Sequence, residues 1–171
     1  MLNRQVRSLL SLAVFGGLTA AAAVVGSRVT RPKRDVWYRA LRKPVFQPPP
    51  VVFPIVWTGL YALMAISANR VAWAPKSADR SAALALWAAQ LGLNAAWTPL
   101  FFGKHRPQLA LADMTALIGT VSAYTAVAQR VDAKAPLLMA PYLGWLGLAG
   151  AINAEIIRKN PLLASDALVG R

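Results

Sequence analysis

The chain has 171 residues, 57% of them hydrophobic and only 15% charged, with 19 Lys and Arg against 6 Asp and Glu. Soluble domains carry roughly 25% charged residues, so the apolar surplus points to bilayer spans of about 20 residues each. There is no Cys and a single histidine, His105, which excludes a catalytic thiol, a disulfide framework, iron–sulfur ligation and a structural zinc site. The net charge of +13 comes from basic residues grouped in short segments between apolar runs. Loops of membrane proteins have that pattern and meet lipid headgroups, so membrane lipid rather than nucleic acid is the expected partner.

The first apolar run covers about 9–28, after Arg4 and Arg7. Its Ala20 to Ala23 stretch resembles a signal-peptide cleavage region, but about 18 apolar residues suffice for a span, and a retained first helix is the preferred reading. A basic segment from Thr30 to Pro50 follows, with Trp37 and Tyr38 side by side, closing on Pro48-Pro49-Pro50. Proline lacks the N–H and fixes φ, and Trp and Tyr among cations mark the membrane–water boundary. The segment therefore reads as an ordered interfacial loop. Four more apolar runs cover about 51–73, 82–102, 109–128 and 135–157. Their brief polar links make sequential helices antiparallel neighbours. The continuous runs lack the ten-residue alternation of barrel strands. The fold class expected is an all-α membrane protein: one domain, residues 1–171, a bundle of five transmembrane helices with the first loop as a lid.

With five spans the chain ends lie on opposite sides. The N-terminus and the second and fourth loops carry seven cations, the other side twelve. The positive-inside bias then puts the N-terminus outside and the C-terminus in the cytoplasm. Cleavage of the first span conflicts with that orientation.

Polar and aromatic residues recur at helical spacing inside the spans: Trp57 and Tyr61; Asn94 and Trp97; and Tyr142, Trp145, Ala149 and Asn153. Residues three or four apart share a helix face, and an amide in hydrocarbon needs a partner, so both Asn residues should face the interior. Singly, each residue suits ordinary packing and interhelical hydrogen bonding. Three such stripes together suit an internal pocket for a flat, largely apolar ligand. Trp73 and Trp87 read instead as interfacial or lipid-facing. Asp113 is either a functional intramembrane acid or a structural bond to another helix, Glu155 a surface partner of Arg158, and His105 a solvated loop histidine rather than a haem ligand. Ala88, Gly92 and Ala96, spaced by four, suit close helix approach.

Trp37-Tyr38, Leu41-Arg42-Lys43-Pro44, Pro48-Pro49, Phe53, Val56-Trp57 and Leu60-Tyr61, followed by Gln90-Leu91, Asn94, Trp97, Phe101-Phe102-Gly103, Pro141-Tyr142, Trp145, Ala149, Asn153 and Asn160, resemble the TspO/MBR family. That family comprises the tryptophan-rich sensory proteins and the mitochondrial translocator (peripheral benzodiazepine receptor) proteins. The resemblance covers about residues 10 to 160. It implies a five-helix bundle, commonly a homodimer packed through the third span, that binds porphyrin or haem and in some members cholesterol or drug-like ligands, with no required cofactor and no metal. It places Trp37, Tyr38, Trp57, Tyr61, Asn94, Trp97, Tyr142, Trp145, Ala149 and Asn153 at the ligand site. Ala88, Gly92 and Ala96 would lie at the dimer interface. Position 46 is Phe where many members have Trp, and the sterol consensus of the last helix is missing. The reading preferred is a membrane-embedded tetrapyrrole sensor or regulator in a bacterial cell membrane. The alternatives are light-dependent porphyrin degradation, carried by Trp57 and Trp145 in the absence of any acid–base or nucleophile constellation, and porphyrin or sterol transport.

Overall fold

The computed structural model describes residues 3–29 and 35–162; Arg31, Lys33 and Arg34 of the basic first loop and Arg171 lie outside them. Among the described residues there is no strand. The helices are α1 (Arg4–Val29), α2 (Val36–Ala40), α3 (Val52–Trp73), α4 (Ala78–Thr98), α5 (Pro107–Ala128) and α6 (Ala140–Lys159). A π-turn, Pro99–Gly103, follows α4, and a 3-10 turn, Pro136–Met139, leads into α6. The expected five helices are thus six among the described residues, because the first loop folds a short helix of its own. Asp35 caps that helix, accepting the Tyr38 N–H.

Among the described residues, four segments are long and apolar enough to cross a membrane: Gln5–Val24, Val52–Trp73, Pro107–Ala128 and Pro136–Lys159. α4 is not among them, since it carries Asp79, Arg80, Gln90 and Asn94. Its polar content is explained by its place in the bundle. α4 packs along α5 and against α1, and Trp87, Gln90, Leu91 and Asn94 are buried. On α1, by contrast, Leu9, Leu10 and Val14 are exposed, the apolar surface that a bilayer would cover.

Neighbour relations follow sequence order only in part. α4 packs on α5 and α5 on α6, but α1 sits beside both α3 and α4 and takes much of the contact expected between those two. Where α3 and α4 do meet, Met64 pairs with Trp87 and Tyr61 with Asn94, so the helices run antiparallel. The connections segregate to two ends. At one, Arg70 forks onto Asp132 at 3.1 and 2.9 Å, and Arg130 lies 3.8 Å from Asp79. Partial burial would raise the Asp132 carboxyl, but the N–H groups of Lys134 and Ala135 and the Arg70 guanidinium hold it below its ordinary range. At the other end, the first loop meets the third loop through Asp35 and His105 and the end of α6 through Arg42 and Asn160.

Candidate ligand site between the helices

Asn94 is the centre of the interior polar network. Its Oδ1 accepts from the Tyr61 hydroxyl at 3.0 Å, and its Nδ2 donates to the Tyr142 hydroxyl at 3.0 Å. One amide thereby ties α3, α4 and α6 together, and both functions of a buried carboxamide are satisfied. Aromatic rings cover this network. Trp57 lies 5.2 Å from Tyr61 and 6.1 Å, edge to face, from Tyr142, and Phe53 meets Trp145 edge-on at 5.5 Å. The backbone of α3 comes close to the 3-10 turn Pro136–Met139, whereas close approach to α6 itself is sparse. The two helices diverge from that turn, and Phe53, Trp57, Tyr142 and Trp145 occupy the wedge between them. Ala149, one turn beyond Trp145, presents only a methyl group, partly buried against the same core.

Trp97 and Asn153 form a second centre rather than part of the first. The Trp97 indole donates to Asn153 Oδ1 at 3.3 Å, and Asn153 Nδ2 donates to the Pro107 carbonyl at 2.9 Å. Trp97 stacks on Phe101 at 5.0 Å. The reason lies in Pro99. It has no N–H for the helical ladder, and the chain widens into a π-turn in which Lys104 N–H reaches Pro99 O. Such insertions rotate the following side chains, and here Phe101 is turned into the core. Trp37 and Tyr38 dock on that ring at 5.6 and 6.4 Å, and Tyr38 also meets Phe102 at 5.1 Å. Burial pushes the Tyr38 phenol above its ordinary pKa, partly offset by the hydrogen bond from the Gln47 amide. The first loop is further fixed by Asn160, which accepts from Arg42 N at 2.8 Å and donates to Arg42 O at 3.0 Å.

Several expectations need correction. Trp87 is not lipid-facing: it is buried, donates to the Met64 carbonyl at 3.0 Å and meets Phe15 edge-on at 5.0 Å. Its indole N–H found a helix carbonyl inside the bundle, and hydropathy alone does not distinguish that from an interface. His105 is not a free loop residue. It adopts a left-handed backbone (φ 52°), stacks on Trp37 at 4.5 Å and lies 3.2 Å from Asp35. Glu155 is held by Arg158 and Lys159, as the spacing suggested. Asp113 has a buried Oδ2 without a hydrogen-bond partner, so the interhelical bond envisaged for it does not form there. Gln90, named above only among the motifs of the resemblance and not as a site residue, is fully buried with neither amide atom partnered. Its signal was the i, i+4 relation to Asn94, which puts both amides on one face.

The described residues, all helix and connection with four apolar spans and buried amides gathered between aromatic faces, are those of a polytopic membrane protein. Residues 15–158 match the TspO/MBR family. The chain is 40% identical over 148 residues to the tryptophan-rich sensory protein of Cereibacter sphaeroides, covering 86% of this chain and 92% of that one. It is 36% identical over 153 residues to Protein CrtK of Rhodobacter capsulatus, covering 89% and 96%. It is 35% identical over 150 residues to the human translocator protein, covering 84% and 88%. The chain belongs to the TspO/MBR family, whose members are membrane sensory and translocator proteins.

Proposed function

We propose that the protein is a membrane-embedded sensor or regulator that binds a tetrapyrrole, porphyrin or haem, in the wedge between α3 and α6. The observation that carries this reading is the wedge itself. Two diverging helices are bridged by Phe53, Trp57, Tyr142 and Trp145 over a hydrogen-bonded amide. A flat ligand exchanges ring–ring contacts of the protein for contacts with its own π-face at little cost, and the amides of Asn94 and Gln90 supply orienting polar groups. The docking of Trp37 and Tyr38 on the π-turn supports a lid role for the first loop. Sterol binding has weaker support, since the last helix lacks the sterol consensus, itself a weak pattern.

All five long helices cross the membrane in this reading, α4 shielded by its neighbours, with the N-terminus outside and the C-terminus in the cytoplasm of a bacterial cell. Ala88 and Gly92 are exposed on α4, and a Cβ built at Gly92 meets no atom within 4 Å. That outward small-residue face supports a homodimer through Ala88, Gly92 and Ala96. The test is a protoporphyrin titration of the purified protein in detergent, in the dark and under light. Saturable, reversible quenching of tryptophan fluorescence in the dark supports a binder. A new chromophore that needs both light and intact protein would make it a catalyst, with Trp57 and Trp145 as the reacting residues. Absence of saturable quenching would refute tetrapyrrole binding.

A further inference from the structure

At the end of the bundle remote from the first loop, α1, α3 and α4 enclose an open cleft of about 420 Å³. Its apolar wall comprises Val14 and Phe15 of α1 and Trp73 of α3, and its charge comes from Arg7 of α1 and Arg80 of α4. Phe15 is held edge-on by Trp87, and Ser11 is already bonded to Asn69 at 2.7 Å, so the wall is preorganised. The cations are not balanced. Arg70 and Arg130 at the same end have carboxylates, Asp132 and Asp79, whereas neither Arg7 nor Arg80 has one among the described residues. The Arg80 Nε is buried with no hydrogen-bond partner. Arg80 also lies in the first turn of α4, where the helix dipole is positive and a cation is disfavoured. Two cleft-lining arginines without a carboxylate among the described residues, one of them in a positive field, suit an anion.

We propose that this cleft binds the phosphate headgroup of an anionic phospholipid, with Arg7 and Arg80 on the phosphate and one acyl chain along Val14, Phe15 and Trp73. A lipid is favoured over a free phosphate because the charged pair is continuous with membrane-facing apolar surface. Leu9, Leu10 and Val14 are exposed on the same helix, and a tryptophan at a span end marks the headgroup depth. Arginine suits phosphate through its planar fork of donors.

The test uses the full chain in neutral detergent, with phosphatidylglycerol and phosphatidylcholine as probes and native mass spectrometry as the readout. Phosphatidylglycerol should be retained in preference to phosphatidylcholine, and Arg7→Gln/Arg80→Gln should weaken that retention roughly thirtyfold, about fivefold per arginine. Lys76→Gln/Lys134→Gln removes two exposed cations outside the cleft and should leave retention unchanged. Equal losses in the two double variants would overturn the site in favour of general surface potential, and equal retention of both lipids would overturn it outright. Stripping of phosphatidylglycerol by millimolar inorganic phosphate would overturn the lipid assignment. A second measurement needs no arginine variant: phosphatidylglycerol with a brominated acyl chain should quench wild-type fluorescence more than its phosphatidylcholine counterpart. That excess should vanish in Trp73→Phe; no excess, or an undiminished one, sinks the proposal.

Discussion

Asn94→Leu tests whether the amide is the interior keystone that its geometry makes it. The substitution keeps volume and removes both interhelical bonds, to Tyr61 and to Tyr142, each 3.0 Å long. Interhelical hydrogen bonds in membrane proteins contribute about 0.6 kcal/mol on average, so two give roughly 1.2 kcal/mol. The larger effect is the orphaned Tyr142 hydroxyl. Tyr142 is fully buried, and an unsatisfied buried group costs about 1–3 kcal/mol, whereas the partly exposed Tyr61 can find another partner. We expect a total loss of about 2–4 kcal/mol, read from reversible unfolding in mixed micelles of increasing sodium dodecyl sulfate. The sharper test is the cycle with Tyr142→Phe. Once the hydroxyl is gone, Asn94→Leu no longer orphans it, so the double variant should be more stable than the sum of the singles predicts, by about 0.6–1.7 kcal/mol. Additivity within about 0.3–0.5 kcal/mol would mean that the two side chains are not coupled, and the keystone reasoning would fail.

Trp145→Ala and Trp57→Ala should each weaken porphyrin binding by roughly tenfold to a hundredfold, on the scale of about 1–3 kcal/mol per stacked aromatic contact. Trp73→Ala should change it little; a larger loss at Trp73 in fluorescence titration would show the wedge to be the wrong site. Trp87 cannot serve as a second control, because its bond to Met64 O makes it structural. Gln90→Leu should stabilise the unliganded protein by about 1–3 kcal/mol, since it removes an amide that has no partner, while weakening porphyrin binding; a destabilised variant in the same micelle assay would count against a ligand-facing amide. Gly92→Leu meets no intramolecular obstacle and should shift the detergent-solubilised protein toward monomer with porphyrin affinity intact, as followed by light scattering. An unchanged dimer would remove that face from the interface. Reporter fusions at residue 171 and within residues 74–80 should lie on opposite sides of the membrane, the C-terminal one in the cytoplasm.

Apolar length and the stripes of Trp, Tyr and Asn were enough to read membrane helices and an aromatic interior directly from the chain. Those properties are local, set by hydropathy and by the 3.6-residue period that puts Asn94 beside Trp97 and Tyr142 beside Trp145. The same period could not say which partner each amide takes. Asn94 and Trp97 share a face yet serve different centres, Asn94 reaching Tyr142 and Trp97 reaching Asn153. Nor could hydropathy separate Trp87 from Trp73. Both are indoles in apolar context, and only the position of α1 against α3 and α4 buries one and leaves the other at a cleft. The first loop shows the same division. Its prolines and boundary aromatics announce an ordered segment, but its anchors, His105 and Asn160, lie 70 and 118 residues away from their partners Asp35 and Arg42. Contacts at that separation depend on how the helices are arranged around one another, and that arrangement is set by the simultaneous burial of many side chains, which no local window of sequence contains.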